Sequence, residues 1–348
     1  MSHGYQAVSW TKFKQRYDLL LVLSVVGFIG VYLGVTLATN PTANPVQVLI
    51  RAFGLAAIAL LHVILAIGPL ARLNSSYLPL LYNRRHLGVM MFGLGFIHSG
   101  ISLFWYHALG TLNPILSVFL TDAGNTIGTF PFQAFGAIAL MILFVMAATS
   151  HDFWLSNLTA PVWKSLHMSV YVAYAFLVVH VAFGVLQAET SPLFIGVLAA
   201  GAITLIVLHL KAAGQERDRD EPATGSPTDD GYISVAKVAD LPLNEAISAC
   251  LGGERVAVLR YLEDDVEKVS ALSGVCQHQN GPLTEGKFVY GCLTCPWHGY
   301  QYKPHSGASP APFTEKVPTF NVRVSDGEVF VHPTPNPAGT HVDPVVLI

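Results

Sequence analysis

The sequence predicts a membrane all-α bundle of six helices followed by a small all-β domain. Charged residues make up only 12% of the 348 positions, against roughly a quarter in an ordinary soluble protein. Mean hydropathy is +0.49, and the apolar surplus lies before residue 211. Beyond that point short β-type runs alternate with turn signals. A net charge of −3 gives no reason to expect nucleic acid as a partner.

Six apolar runs approach the ~20 residues that a spanning helix requires. They are Leu19–Thr39, Val46–Leu70, Leu87–His107, Phe132–Thr149, Leu166–Leu186 and Leu193–Leu210. The first follows Lys12, Lys14 and Arg16, as a signal peptide would. Its apolar core exceeds the ~7–15 residues of such peptides and no small-residue cleavage site follows, so it is expected to remain as a helix. Lys and Arg cluster at one set of ends: Lys12, Lys14, Arg16, Arg72, Arg84, Arg85, Lys164, Lys211, Arg217 and Arg219. The opposite loops, 40–45, 108–131 and 187–192, hold none. This bias places both termini in the cytoplasm, in an inner (cytoplasmic) membrane. Arg51 is the exception, at the outer start of the second helix. A charge at that depth needs a partner, such as a haem propionate, or must snorkel to the interface.

The organisation expected is a cytoplasmic segment over 1–18, the helical domain over 19–211, a linker over 212–230, a β domain over 231–333 and a tail over 334–348. Residues 215–230 are charged and rich in Pro, Gly, Ser and Thr, the composition of a flexible linker. Strands are expected at Tyr232–Val235, Arg255–Tyr261, Val269–Leu272, Phe320–Val324 and Val329–His332, with Asp326-Gly327 as a hairpin turn. The Pro-rich tail is expected to carry no structure. No internal repeat stands out.

The β domain contains the pattern with the most specific chemistry. Cys276-Gln277-His278 is followed by sixteen residues and then Cys295-Pro296-Trp297-His298-Gly299-Tyr300. Two loops that each supply one thiolate and one imidazole suit a [2Fe–2S] cluster with two cysteines on one iron and two histidines on the other. Gly281-Pro282 and Pro296/Gly299 mark the loop tips. A zinc site with two Cys and two His is the alternative, but zinc fingers group their cysteines before their histidines, whereas here the two types alternate. The stretch 231–333 resembles the Rieske family, with Cys276, His278, Cys295 and His298 as the metal ligands. Cys250 and Cys292 remain, so no disulfide framework is indicated. High-potential Rieske proteins carry an extra cysteine in each loop; the first loop here has none, so the potential is expected in the lower part of the roughly −150 to +300 mV range.

Imidazoles within spans are functional candidates by default. His98 lies on the third run, and His167 and His180 lie thirteen residues apart on the fifth. At about 1.5 Å per residue that separation is ~20 Å of rise, enough for two stacked haems in a ~30 Å core. His98 is fourteen residues past Arg84 and His180 sixteen past Lys164, which puts both at similar depth in the outer half. The motifs Gly68-Pro69-Leu70-Ala71-Arg72, Arg84-Arg85-x-Leu87-Gly88 with His98, and Trp163-x-x-Leu166-His167-x-x-x-Tyr171 with His180 resemble the ferric-reductase-like transmembrane family. Within that family they are most like the haem-binding membrane subunit of the methionine sulfoxide reductase system. The resemblance implies haem b on His98 and His180, and a role for His167 in a possible second haem. His86 or His151 could partner His167, although His86 and His98 stand about 120° apart on a helix. His62 can be read as a satisfied core histidine.

Together these features predict an electron-transfer protein. Electrons from a cytoplasmic reductase, ferredoxin or quinol would enter the cluster and pass through haem to an acceptor on the outer or periplasmic side of the lipid bilayer. A Rieske oxygenase would need a mononuclear iron site and a large domain after the cluster, and about fifty residues follow His298. No Gly-x-Gly-x-x-Gly follows a predicted strand, so direct NAD(P)H oxidation is not expected. A terminal metal or oxygen reductase, and a redox-sensing subunit, are the competing readings.

Overall fold

The computed structural model describes residues 12–120, 131–150, 154, 158, 160–188, 192–218, 227–278, 280–297, 299–311 and 313–347. They cluster into two compact units, Met1–Leu210 and Lys211–Ile348.

The first unit is helical. Its long helices are α1 (Lys12–Thr39), α2 (Pro45–Leu73), α4 (Arg84–His107), α6 (Phe132–Ala148), α8 (Val170–Ala188) and α9 (Pro192–Asp218). The short helices α3 (Leu78–Tyr82), α5 (Pro114–Phe119) and α7 (Ala160–Met168) connect them. Asparagine–proline pairs start two of these helices. Asn44 Oδ1 accepts from Val46 N at 2.9 Å ahead of α2, and Asn113 Oδ1 accepts from Ile115 N at 3.0 Å ahead of α5. In each case Pro occupies the first helical turn, where its missing N–H costs nothing.

Among the described residues, five helical stretches are long and apolar enough to cross a membrane, and α6, with its 17 residues, is a shorter apolar helix. The expected fifth span is divided at Ser169 into α7 and α8. Leu19, Leu20, Leu23 and Val26 on α1, with Phe96 and Phe104 on α4, face outward, an apolar surface that suits lipid and not water. Hydroxyls on these helices fold back on their own backbone. Ser24, Thr39, Thr149 and Thr204 each donate to the carbonyl four residues earlier, which satisfies them without solvent. This is a membrane protein. Inside the unit, α2 packs chiefly on α4 and α6 chiefly on α8. Leu61, Leu65 and Ile67 of α2 are buried, and Leu94 of α4 packs with Ala56 of α2 and Val25 of α1.

Helix α9 continues through Asp218, so the first part of the expected linker is helical; 219–226 lie outside the described residues. Beyond the end of α9, the second unit is built on β-strands. Strands β1 (Ile233–Lys237), β10 (Glu328–Val331) and β9 (Val322–Ser325) form one antiparallel sheet. The larger sheet runs in the order β11 (Val345–Val346), β4 (Val266–Ser273), β3 (Glu254–Glu263), β2 (Glu245–Leu251), β5 (Lys287–Val289), β6 (Cys292–Thr294) and β7 (Gln301–Tyr302), and β8 (Thr319–Phe320) pairs with β4. Alternation along β3 and β4 sends Val256, Val258, Val269 and Ala271 into a core shared with Leu251, Phe320, Val329 and Val331.

Four hairpins turn on two residues that both have positive φ: Gly252-Gly253, Asp264-Asp265, Tyr290-Gly291 and Asp326-Gly327. That backbone matches the twist of the flanking strands. The Pro-rich tail departs from expectation. Val345 pairs with Val269, and Leu347 N donates to Glu267 O at 2.9 Å. The outer edge of β4 offers unpaired backbone groups, and the tail satisfies them.

Candidate functional site

Two arrangements in the chain gather metal-binding residue types, one in each unit. In the β unit, Cys276 follows β4 and Cys295 follows β6, each opening a tight loop. The described residues of the two loops make matching backbone bonds. Cys276 N donates to Gly281 O and Cys295 N to Tyr300 O, at 2.9 and 2.7 Å; Asn280 N and Gly299 N return bonds to the two cysteine carbonyls, at 2.8 and 2.9 Å. Asn280 and Gly299, the matching positions, both have positive φ. Each loop thus wraps its sulfur with the same turn.

The loops also meet. The imidazole of His278 stacks on Tyr300 of the second loop, with centroids 5.1 Å apart and planes 8° from parallel. A Cβ added to Gly281, at the tip of the first loop, would stand 2.5 Å from Cys295 Sγ. Glycine is therefore required there for the first loop to close over the second loop's sulfur. Cys276 and Cys295 are buried, and none of the four cysteines is in a disulfide. His298 lies outside the described residues. Without it, no group of three or more metal-ligating side chains is gathered among the described residues.

The hydroxyl of Tyr302, fully buried, lies 3.4 Å from Cys276 Sγ and accepts from Gln277 N at 3.0 Å. Burial first, and then the neighbouring Cys276, pushes the Tyr302 pKa far up, so the hydroxyl keeps its proton. Burial likewise raises the Cys292 thiol, which behaves as a small buried hydrophobe. Lys287 pairs with Glu245 at 2.7 Å.

In the helical unit, His98 on α4 and His180 on α8 face each other, with ring centroids 6.2 Å apart and planes at 85°. His98 Nδ1 donates to Ile50 O at 2.8 Å, and His180 Nδ1 donates to Phe132 O at 2.9 Å. A carbonyl can only accept, so both rings carry their proton on Nδ1 and present the Nε2 lone pair. His167 has the same tautomer, because its Nδ1 reaches Trp163 O at 3.0 Å. Its ring stacks on Trp163 at 3.8 Å, and its buried Nε2 has no hydrogen-bond partner among the described residues. His86 is instead paired through Nδ1 with Asp18 Oδ1 of α1 at 2.6 Å. His151 lies outside the described residues. His62 has both nitrogens engaged, by Ile58 O at 2.8 Å and Tyr174 Oη at 3.0 Å.

Comparison with known proteins agrees with this division. The family model of the Rieske [2Fe-2S] domain matches residues 231–321, and that of the ferric reductase like transmembrane component matches residues 53–178. The chain joins a ferric-reductase-like transmembrane domain to a Rieske [2Fe–2S] domain. The Rieske part is 31% identical over 90 residues to the anthranilate 1,2-dioxygenase ferredoxin subunit of Burkholderia cepacia, covering 26% of this chain and 80% of that one. The helical part is 30% identical over 138 residues to the protein-methionine-sulfoxide reductase heme-binding subunit MsrQ of Azospira oryzae, covering 40% of this chain and 55% of that one. The chain thus spans about half the length of that relative. Among solved structures, the ferredoxin of carbazole 1,9a-dioxygenase from Nocardioides aromaticivorans IC177 aligns over 30% of this chain and 98% of its own, at 26% identity and a TM-score of 0.27.

A Rieske domain implies a [2Fe–2S] cluster, and the residues present fit one: two buried sulfurs in matched loops, closed by a glycine that tolerates no side chain. The helical residues fit a haem. Two imidazoles on separate helices stand 6.2 Å apart in the tautomer that metal ligation needs. Two bonds of about 2 Å, as imidazole makes to metals, together with the rings themselves, fill that space. Sequence reasoning missed the carbonyls of Ile50 and Phe132, because a backbone acceptor has no residue signature. It also missed Tyr302, which in sequence is one aromatic in a short strand.

Proposed function

We propose that this fusion carries electrons across the membrane, between a cytoplasmic Rieske cluster and haem b held by His98 and His180, to an acceptor on the outer side. When bound, the [2Fe–2S] cluster and the haem iron each supply one-electron redox chemistry. The protein contributes position and environment. Cys276 and Cys295 hold one iron through thiolates, and His278 and His298 hold the other. Tyr302 directs its proton at the Cys276 sulfur, since a thiolate has none to offer. His98 and His180 present Nε2 from opposite helices, and Arg51, exposed near the start of α2, would either meet a propionate or snorkel to the interface. No residue has to act as nucleophile or general base.

Six spans with both termini in the cytoplasm are the topology we propose, with α6 completing the set. The one-sided distribution of Lys and Arg supports it. On that topology a cytoplasmic reductase, ferredoxin or quinol supplies the electrons. The domain limits are those of the sequence, 19–211 for the helical part and 231–333 for the Rieske part.

The observation that carries the reading is the facing pair of imidazoles with both Nδ1 atoms committed to backbone carbonyls. It is tested by redox titration of the purified protein, followed optically and by EPR. One rhombic Rieske signal and one low-spin bis-histidine haem are expected, and Cys295→Ser should remove the first while keeping the second. Unchanged haem content in both His98→Ala and His180→Ala would remove the haem assignment.

A further inference from the structure

The two facing histidines are held in the same way. The carbonyl that accepts from His98 belongs to Ile50, and the one that accepts from His180 belongs to Phe132; each lies 48 residues before its histidine. Four residues beyond each carbonyl stands a glycine, Gly54 on α2 and Gly136 on α6. A Cβ on Gly54 would stand 3.0 Å from His98 Nδ1, and one on Gly136 would stand 2.7 Å from His180 Nδ1. In an α-helix the residue at i+4 sits directly over the carbonyl of residue i. A side chain there would block the approach of the imidazole. Glycine is common in membrane helices, and a Cβ on Gly27, Gly88 or Gly93 would meet nothing within 4 Å, so it is the close approach of a ring, and not the glycine alone, that marks these two positions.

The match extends further. A shift of 82 positions, from His98 to His180, superposes Ala52-Phe53-Gly54 on Ala134-Phe135-Gly136, Leu61 on Leu143 and Pro79 on Pro161. The elements follow. In each half a long helix leads through a short helix with Pro in its first turn to a second long helix: α2, α3, α4 and α6, α7, α8. The long helices of each half pack chiefly on each other.

We infer that the helical core is built from two copies of one hairpin, and that each copy's Ala-Phe-Gly segment is a cradle that orients its own histidine. Gly54 and Gly136 are positioning residues. By leaving a carbonyl accessible to Nδ1, they fix the tautomer, aim Nε2 and raise the basicity of the ligand. This rests on the haem reading of His98 and His180, but the cradle can be tested without haem.

The experiment is a double-mutant cycle on the full-length chain, scored by thermal stability of the purified protein in detergent. Gly54→Ala should lower the melting temperature when His98 is present and leave it unchanged or raised in a His98→Ala background, where the added methyl meets no ring. Gly136→Ala with His180→Ala should behave alike. Gly93→Ala, whose methyl meets nothing within 4 Å, is the control that should leave the melting temperature unchanged or raised. Equal losses with and without the imidazole would mean that the glycines serve only helix packing, and would overturn the inference. In the haem-loaded single variants that fold, a weaker Nδ1 hydrogen bond should shift the midpoint potential upward and move the low-spin EPR signal. Wild-type potential and signal in both variants would also overturn it. Failure of the haem reading itself would show separately, as haem retained in His98→Ala and His180→Ala.

Discussion

Tyr302 shows how one side chain can tune a metal centre without touching the metal. Its hydroxyl accepts from Gln277 N, so its own proton is left for Cys276 Sγ at 3.4 Å. A hydrogen bond to a ligating sulfur stabilises the reduced, more negative cluster and raises its potential. The bond offsets some of the lowering expected from the absent loop disulfide. With a net worth of about 1 kcal/mol, it corresponds to roughly 40 mV for one electron. Tyr302→Phe should therefore lower the cluster potential by about that amount while preserving the rhombic EPR signal, and an unchanged potential would show that the contact is inert. Cys276, His278, Cys295 and His298 stood out in sequence as candidate ligands because Cys-x-His and Cys-x-x-His at loop tips are rare combinations. Tyr302 was not, because nothing local indicates that strand β7 returns beneath the first loop.

At the scale of elements, long periodic stretches were easy to read and short ones were not. Helices α2, α4 and α6 fall within a few residues of expectation because each is a continuous apolar run, while α1 and α9 run seven and eight residues further into charged sequence and the fifth run is divided at Ser169. Strands β5, β6, β7 and β8 have only two or three residues each, too few to show alternation. They exist because neighbouring backbone edges need partners. The tail shows this clearly. Its prolines argued against structure, yet Val345-Val346 pairs with β4 and Leu347 packs against the core. Deleting residues 345–348 should expose the edge of β4 and remove part of three apolar side chains from cover, a loss of about 1–2 kcal/mol. Heating the full-length protein while following the visible absorbance of the cluster would detect it as bleaching at lower temperature. An unchanged bleaching temperature would mean that the tail only rests on the domain.

For the whole molecule, the repeat bears on how many haems the bundle carries. In the 82-residue register His98 matches His180, but His167 falls opposite Arg85, and His86 falls opposite Met168. The hairpins thus provide one matched histidine pair. His86 is further engaged with Asp18. A pyridine haemochrome assay against protein concentration should give one haem per chain. A ratio of two would require a ligand for His167 from outside the described residues, where His151 lies.

The sequence alone determined the division into a helical membrane domain and a small β domain, and the candidacy of Cys276, His278, Cys295 and His298 for the cluster and of His98, His167 and His180 for haem. These follow from composition, from spacing along the chain and from the cost of polar groups in lipid, all of which are local quantities. Only the tertiary structure decided how the histidines are oriented. The carbonyls of Ile50 and Phe132, and the space left by Gly54 and Gly136, act across 48 and 44 residues of chain. A helix that presents a bare carbonyl to its neighbour can be recognised only once the two helices are packed together.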